Sequence, residues 1–265
     1  MALSKAGTAY DLNGPQDAPV VVLIHGLGLT RDSTWKPIIR WLAGRFRVLS
    51  YDLPGHGDSA LPTGDVSLTA LSEQLMTLLD ELEIATAALV GFSLGGMINR
   101  RVAMDHPDRV SALVVLNSPH ERGDEQQALV EARARDSAAE GPGANIDTTL
   151  KRWYTPEYMR DNSALVGEVR AVVLANEPKN YAAHRLVLAQ GVIELIRPVP
   201  PITQPTLVIT CAHDSGSTPA MSEAIGAEIA GSEVHIIPGL QHLGLIERPL
   251  LFGKRLETFL ETTLT

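Results

Sequence analysis

The sequence predicts an α/β fold, with a mostly parallel, doubly wound sheet and a helical lid inserted between two of its strands. Three observations lead there. Short, β-branched apolar runs recur along the 265 residues. Stretches with helical spacing separate them. The alternation lapses once, between residues 120 and 197.

The runs are Val20–Ile24 (VVVLI), Arg47–Tyr51 (RVLSY), 87–90 (AALV), 112–116 (ALVVL), 206–210 (TLVIT) and 234–237 (VHII). Nearly continuous hydrophobicity over so few residues is the pattern of strands covered on both faces, as in a parallel sheet. Leu68, Leu71, Leu75, Leu78, Leu79 and Leu82 recur at helical spacing and form one apolar stripe. A second helix is expected after residue 93, with Met97, Ile98, Arg101 and Val102 on successive turns. It ends near His106, because Pro107 lacks an N–H and restricts the residue before it. A third closes the chain, with Phe252, Leu256, Phe259 and Leu260 on one face. Strands alternating with helices call for right-handed crossovers and a doubly wound sheet.

From His120 to Arg197 no strong strand pattern appears. Helical pieces are expected at 148–158, 163–175 and 181–189, and Pro198, Pro200 and Pro201 mark the return to the sheet. The stretch is far longer than an ordinary connection. The expected organisation is a core domain of residues 1–119 and 198–265, with residues 120–197 as the helical lid.

Composition narrows the function classes. Hydrophobic residues make up 45% and charged residues 20%, enough to bury a real core. With 22 basic and 31 acidic side chains the formal charge is −9, which repels phosphate backbones and argues against nucleic acid as a partner. No apolar run reaches the length of a membrane span, and the opening MALSKAGTAYDLNG has no apolar segment of signal-peptide length. Cys211 is the single cysteine, so no internal disulfide forms. The expected setting is cytoplasmic.

The chemistry is carried by Gly91-Phe92-Ser93-Leu94-Gly95, which follows the AALV run and precedes a helix. A chain turning sharply from strand to helix leaves no room two residues before or after the serine, and lifts its Oγ to the carboxyl edge of the sheet. Ser93 is therefore the expected nucleophile. A serine hydroxyl needs a base. Of eight histidines, His242 lies in the loop after the VHII run and before the last helix, above the same sheet edge. His25 belongs to a glycine loop, His56 to a glycine turn, His106 to a helix end and His235 to a strand. His120 and His184 fall in the inserted segment, where either can line a pocket. The base needs an orienting carboxylate, and Asp214 stands just past the TLVIT run. The order Ser93, Asp214, His242 is the one expected of such a site. The run before it ends in Leu116-Asn117-Ser118, with no carboxylate. Two backbone donors are needed for an oxyanion: the N–H of Leu94, next to the nucleophile, and the N–H of Leu27 in His25-Gly26-Leu27-Gly28.

Over essentially its whole length the sequence resembles the α/β-hydrolase superfamily. The resemblance rests on HGLG at 25–28, DLPGHGDS at 52–59, GFSLGG at 91–96, the His213-Asp214 turn and the 238–242 loop. Within it, Arg152-Trp153-Tyr154-Thr155-Pro156, the spacing from Asp214 to Thr218-Pro219 and the overall size are similar to 3-oxoadipate enol-lactonases and related small esterases. The resemblance implies hydrolysis of a small carboxylic ester or lactone through an acyl-enzyme, with no metal and no cofactor. It gives DLPGHGDS a structural role. It leaves open a C–C bond hydrolase of ring-cleavage products, a cofactor-free perhydrolase and a non-catalytic ligand receptor. Dehalogenase and epoxide hydrolase relatives use Asp at the nucleophile position, which Ser93 disfavours. Trp153, Arg152 and His120 are the expected substrate contacts, Arg152 for an anionic substrate. The oligomeric state is not readable.

Overall fold

The computed structural model describes residues 1–264, leaving aside the side chains at 133, 136, 137 and 139. In chain order the elements are β1 (Ala2–Leu3), β2 (Ala9–Asn13), β3 (Val20–Ile24), α1 (Arg31–Leu42), β4 (Arg47–Tyr51), α2 (Leu68–Glu81), β5 (Ala87–Phe92), α3 (Leu94–Asp105) and β6 (Val110–Leu116). There follow α4 (Asp124–Glu140), α5 (Ile146–Trp153), α6 (Pro156–Asp161), α7 (Ser163–Leu174) and α8 (Pro178–Gln190). The chain then returns to the sheet with β7 (Thr206–Cys211), α9 (Pro219–Glu228), β8 (Glu233–Ile237), α10 (Gly244–Glu247) and α11 (Pro249–Leu264).

The eight strands form one sheet in the order β1-β2-β4-β3-β5-β6-β7-β8. From β4 to β8 every pairing is parallel; β1 and β2 are antiparallel additions at one edge. The six expected strands are all present. The two edge strands are not among them, because AL is exposed and only two residues long, and AYDLN is only partly buried and carries no continuous apolar run. Strands β5 and β7 are buried at every residue, which is why their sequences are apolar without alternation.

Helix α2 buries Leu68, Leu71, Leu75, Leu78 and Leu79 of the expected stripe, while Leu82 is its half-buried C-cap, and Ser67 caps the other end through Ala70 N–H. Helix α1 was not expected. Trp35, Ile38 and Leu42 do recur on its buried face, but Pro37 sits among them and interrupts the helical pattern. The expected piece at 148–158 is two helices. Pro156 has no N–H to continue α5, so Thr155 instead caps a new helix by accepting from Tyr158 N–H. No helix among the described residues is long and apolar enough to cross a membrane.

What places the site is the order of winding. From β3 the chain goes to β4 on one side, then returns past β3 to β5 on the other. The loops leaving adjacent β3 and β5 diverge at this switch point, where open α/β sheets form their crevice. Ile24 pairs with Gly91, so the loop at 25–28 and the turn at Ser93 start side by side. β6, β7 and β8 then bring Asn117, Asp214 and the 238–242 loop to the same edge in turn.

Candidate active site

Ser93 sits between β5 and α3 with φ 55° and ψ −111°, a conformation side chains rarely adopt. The surroundings enforce it. A Cβ on Gly91 would lie 2.1 Å from Gly95 O, and one on Gly95 would lie 2.2 Å from Ile24 O. Both glycines are therefore steric necessities of the turn. Ser93 N–H donates to Leu116 O at 2.8 Å, and Ser93 O accepts from Ser118 Oγ at 2.9 Å, so both sides of the serine are tied to the end of β6.

Asp214 is buried just beyond β7. Its Oδ1 accepts from Gly216 N–H at 2.8 Å and Ser217 N–H at 2.9 Å. Its Oδ2 accepts from Asn117 Nδ2 at 2.8 Å and from His242 Nδ1 at 2.6 Å. Burial alone would raise this carboxyl. His242, Asn117 and the Ser217 N–H outweigh it and hold the carboxyl below the usual carboxylate range. Facing a carboxylate, His242 Nδ1 carries the proton, which leaves the Nε2 lone pair as an acceptor. The His242 ring packs 4.9 Å from Phe92 and 6.1 Å from Trp153, centroid to centroid.

Ser93, Asp214 and His242 line one cavity of about 510 Å³. Its walls include Gly26, Leu27 and Leu29 from the loop after β3, and Arg122, Trp153, Tyr181 and Arg185 from the segment between β6 and β7. Leu27 N–H has no acceptor among the described residues. Leu94 opens α3, so its N–H is one of those a helix leaves unpaired at its start. The loop carrying Leu27 is braced by imidazoles. His25 Nδ1 bonds Gly26 O at 2.8 Å, Leu53 N–H donates to His25 Nε2 at 3.0 Å, and Gly28 N–H donates to His56 Nε2 at 3.2 Å. DLPGHGDS thus supports the loop from below.

The profile of the family described as alpha/beta hydrolase fold matches residues 19–249. The chain belongs to that family. A solved enol-lactonase from Burkholderia xenovorans is 31% identical and superposes with a TM-score of 0.87, covering 96% of each chain. A thermophilic esterase from Thermogutta terrifontis, solved with malate bound, is 26% identical with a TM-score of 0.86, over 97% of this chain and 94% of that one. By sequence, 3-oxoadipate enol-lactonase 2 of Acinetobacter baylyi is 28% identical over 95% of this chain and 92% of its own.

Among the substrate contacts expected of this hydrolase-fold chain, Trp153 and Arg152 line the cavity. His120 does not. It is buried with Nε2 3.2 Å from Glu228 Oε2 of α9, because the chain leaving β6 turns its ring toward α9. His184 also lies outside the wall. It is buried edge-on to His56, with ring centroids 4.6 Å apart, and its Nδ1 bonds Asn180 O at 2.9 Å. Asn117, Arg122 and Arg185 were not expected at the site. By sequence Asn117 marks only the absence of a carboxylate after β6, and nothing in the local pattern around Arg122 or Arg185 turns either toward a pocket.

Proposed function

We propose that this chain is a serine hydrolase that cleaves a small carboxylic ester or lactone through an acyl-enzyme on Ser93. One observation carries the reading: a carboxylate saturated by four donors holds His242 in the tautomer that leaves Nε2 free, in the cavity that Ser93 also lines. His242 takes the Ser93 proton as Oγ attacks the acyl carbon. The N–H groups of Leu27 and Leu94 hold the oxyanion of the tetrahedral intermediate. His242 then protonates the leaving oxygen, which departs or stays tethered if the substrate is a lactone. Water, deprotonated by His242, attacks the acyl-enzyme and releases the acid.

Residues 120–197 act as a lid that supplies one wall of the cavity, and Trp153 packs the substrate's apolar part. The acid side of that substrate is recognised by arginine. Arg122, Arg152 and Arg185 all line the cavity wall. Arg122 donates to Gln127 Oε1 at 3.1 Å and toward the Leu188 and Ala189 carbonyls at 3.4 Å, and among the described residues no carboxylate pairs with it. Burial lowers its guanidinium below the usual arginine range. A partly buried cation held only by neutral acceptors among the described residues gains from an anionic ligand. This supports a carboxylate-bearing substrate, as in the enol-lactonases named above.

The test is turnover of a panel of p-nitrophenyl esters, lactones and ring-cleavage dienones by the wild type and by Ser93→Ala. Hydrolysis of esters or lactones that Ser93→Ala abolishes supports the proposal. Turnover confined to the dienones would reassign the chemistry to C–C cleavage, and no turnover of any substrate would favour a binding role.

A further inference from the structure

β6 ends at Leu116, and Asn117 turns the chain with φ 44°, in the left-handed region. Among the described residues only four that are not glycine have a positive φ, and Ser93 is another of them. Asn bears this conformation better than most side chains. Asn117 N–H donates to Ile209 O at 2.8 Å, which pins the turn to β7. The side chain is fully buried. Its Nδ2 donates to Asp214 Oδ2 at 2.8 Å and more weakly to Thr210 Oγ1 at 3.3 Å. Asn117 is thus the side chain that shares a carboxylate oxygen with His242, and it is not among the residues lining the cavity.

We propose that Asn117 is a positioning residue for the reaction, whose amide sets the rotation of the Asp214 carboxylate and draws charge from the oxygen that faces His242. The inference rests on the serine-hydrolase reading above. Two backbone donors on Oδ1 leave the carboxylate free to pivot about that oxygen. The Asn117 N–H removes this freedom. It also competes with His242 for Oδ2, so the carboxylate holds the imidazolium formed in the reaction less tightly. The other titratable groups around the pair do not take its place. The Cys211 thiol of β7, with Sγ 3.9 Å from Asn117 Oδ1, is pushed up to about 12 by burial and stays uncharged. Glu247 of α10 acts on that thiol through space and spends both oxygens on Thr155.

Two variants test this, measured as kcat and KM against pH with the best ester or lactone of the panel. Glycine accepts the left-handed φ, so Asn117→Gly deletes the amide with little strain. It is expected to lose about ten-fold in kcat, the order of one hydrogen bond to a charged group, with KM unchanged and the acid limb moved to higher pH. In Asn117→Asp two carboxylates lie within hydrogen-bond distance and share one proton. That proton stands where the amide N–H stood, so activity at mildly acidic pH approaches wild type. It then falls on the alkaline side, where the wild type holds, as the proton leaves. The inference is overturned if Asn117→Gly keeps wild-type kcat with an unshifted acid limb, if its loss is in KM, or if the Asn117→Asp profile runs parallel to that of Asn117→Gly. Should Asn117→Gly fail to fold, the alkaline fall in Asn117→Asp decides alone. Ser93→Ala is run alongside. Residual turnover there defeats the parent reading, whereas an inactive Ser93→Ala beside an unaltered Asn117→Gly defeats only this one.

Discussion

Asp214→Asn changes one atom, and the structure says which one. Oδ1 accepts from two backbone N–H groups, of Gly216 and Ser217, so it must remain an oxygen. The new NH₂ therefore falls at the Oδ2 position, where it meets the Asn117 Nδ2 donor at 2.8 Å and His242 Nδ1 at 2.6 Å. Two donors cannot satisfy each other, so the imidazole must present a bare Nδ1 and carry its proton on Nε2. In that tautomer it cannot accept from Ser93. The expected loss in kcat is on the order of 10⁴, or about 5.5 kcal/mol of transition-state stabilisation, as when a serine hydrolase site is locked in the wrong tautomer. The assay is steady-state hydrolysis of the best panel substrate, with burst-phase kinetics to show that acylation is the slowed step. KM should change little. The reasoning fails if purified, folded Asp214→Asn retains more than about one hundredth of wild-type kcat, since the tautomer lock alone should cost far more.

Ser93→Ala should lower turnover by several orders of magnitude while leaving the melting temperature near wild type, measured by hydrolysis and by thermal melt. Arg122→Gln and Arg152→Ala should weaken kcat/KM for acyl groups ending in a carboxylate at least ten-fold more than for neutral ones of equal size, about the strength of a charge-assisted hydrogen bond; equal losses would remove the anion site. Trp153→Ala should change selectivity among acyl chains with a modest drop in melting temperature, whereas a uniform activity loss with a large drop would make Trp153 packing alone. Burial holds His184 down to about 4, and an unfolded histidine titrates near ~6.5. Between these values the unfolded chain binds the extra proton, so stability is lost as pH falls, by about 2 kcal/mol from His184 at about pH 5. His25 and His56 are lowered too, by burial above all. His184→Phe should flatten the pH dependence of the melting temperature, and an unchanged slope would count against the buried neutral imidazole.

Legibility followed covalent distance. The six strands from β3 to β8, the leucine stripe of α2 and the strand-turn-helix at Ser93 are each encoded within a few neighbouring residues, and each stands where the pattern put it. The placement of Ser93, Asp214 and His242 on one cavity wall was also legible, since strand order alone brings their loops to one edge. Edge strands β1 and β2 carry too little buried surface to mark themselves. His120 was misplaced because a ring leaving β6 can turn either toward the cavity or toward α9, and only the partner Glu228, 108 residues on, decides. Asn117 was passed over as a missing acid, when its value lies in a contact 97 residues away with Asp214.

A separation of 90 to 92 residues also divides the two halves of a contact at the cavity. Trp153 O accepts from Leu243 N–H at 2.8 Å, and Lys151 O accepts from Gln241 Nε2 at 2.9 Å, so the end of α5 grips the residues on both sides of His242. Two residues on, Thr155 gives its N–H and its hydroxyl to Glu247, at 2.8 and 2.7 Å. The cavity wall at Trp153 and the loop that carries His242 are therefore one mechanical piece at this corner. Three of these four bonds end on main-chain atoms of the inserted segment, and the fourth on Thr155 Oγ1. None uses the indole. Trp153→Ala leaves the grip on His242 intact, which is why a change of selectivity in that variant reads on the pocket and not on a displaced base. Loss of rate for every substrate alike, with the melting temperature little changed, would instead mean that the indole, packed 6.1 Å from the imidazole, was itself holding His242 in place.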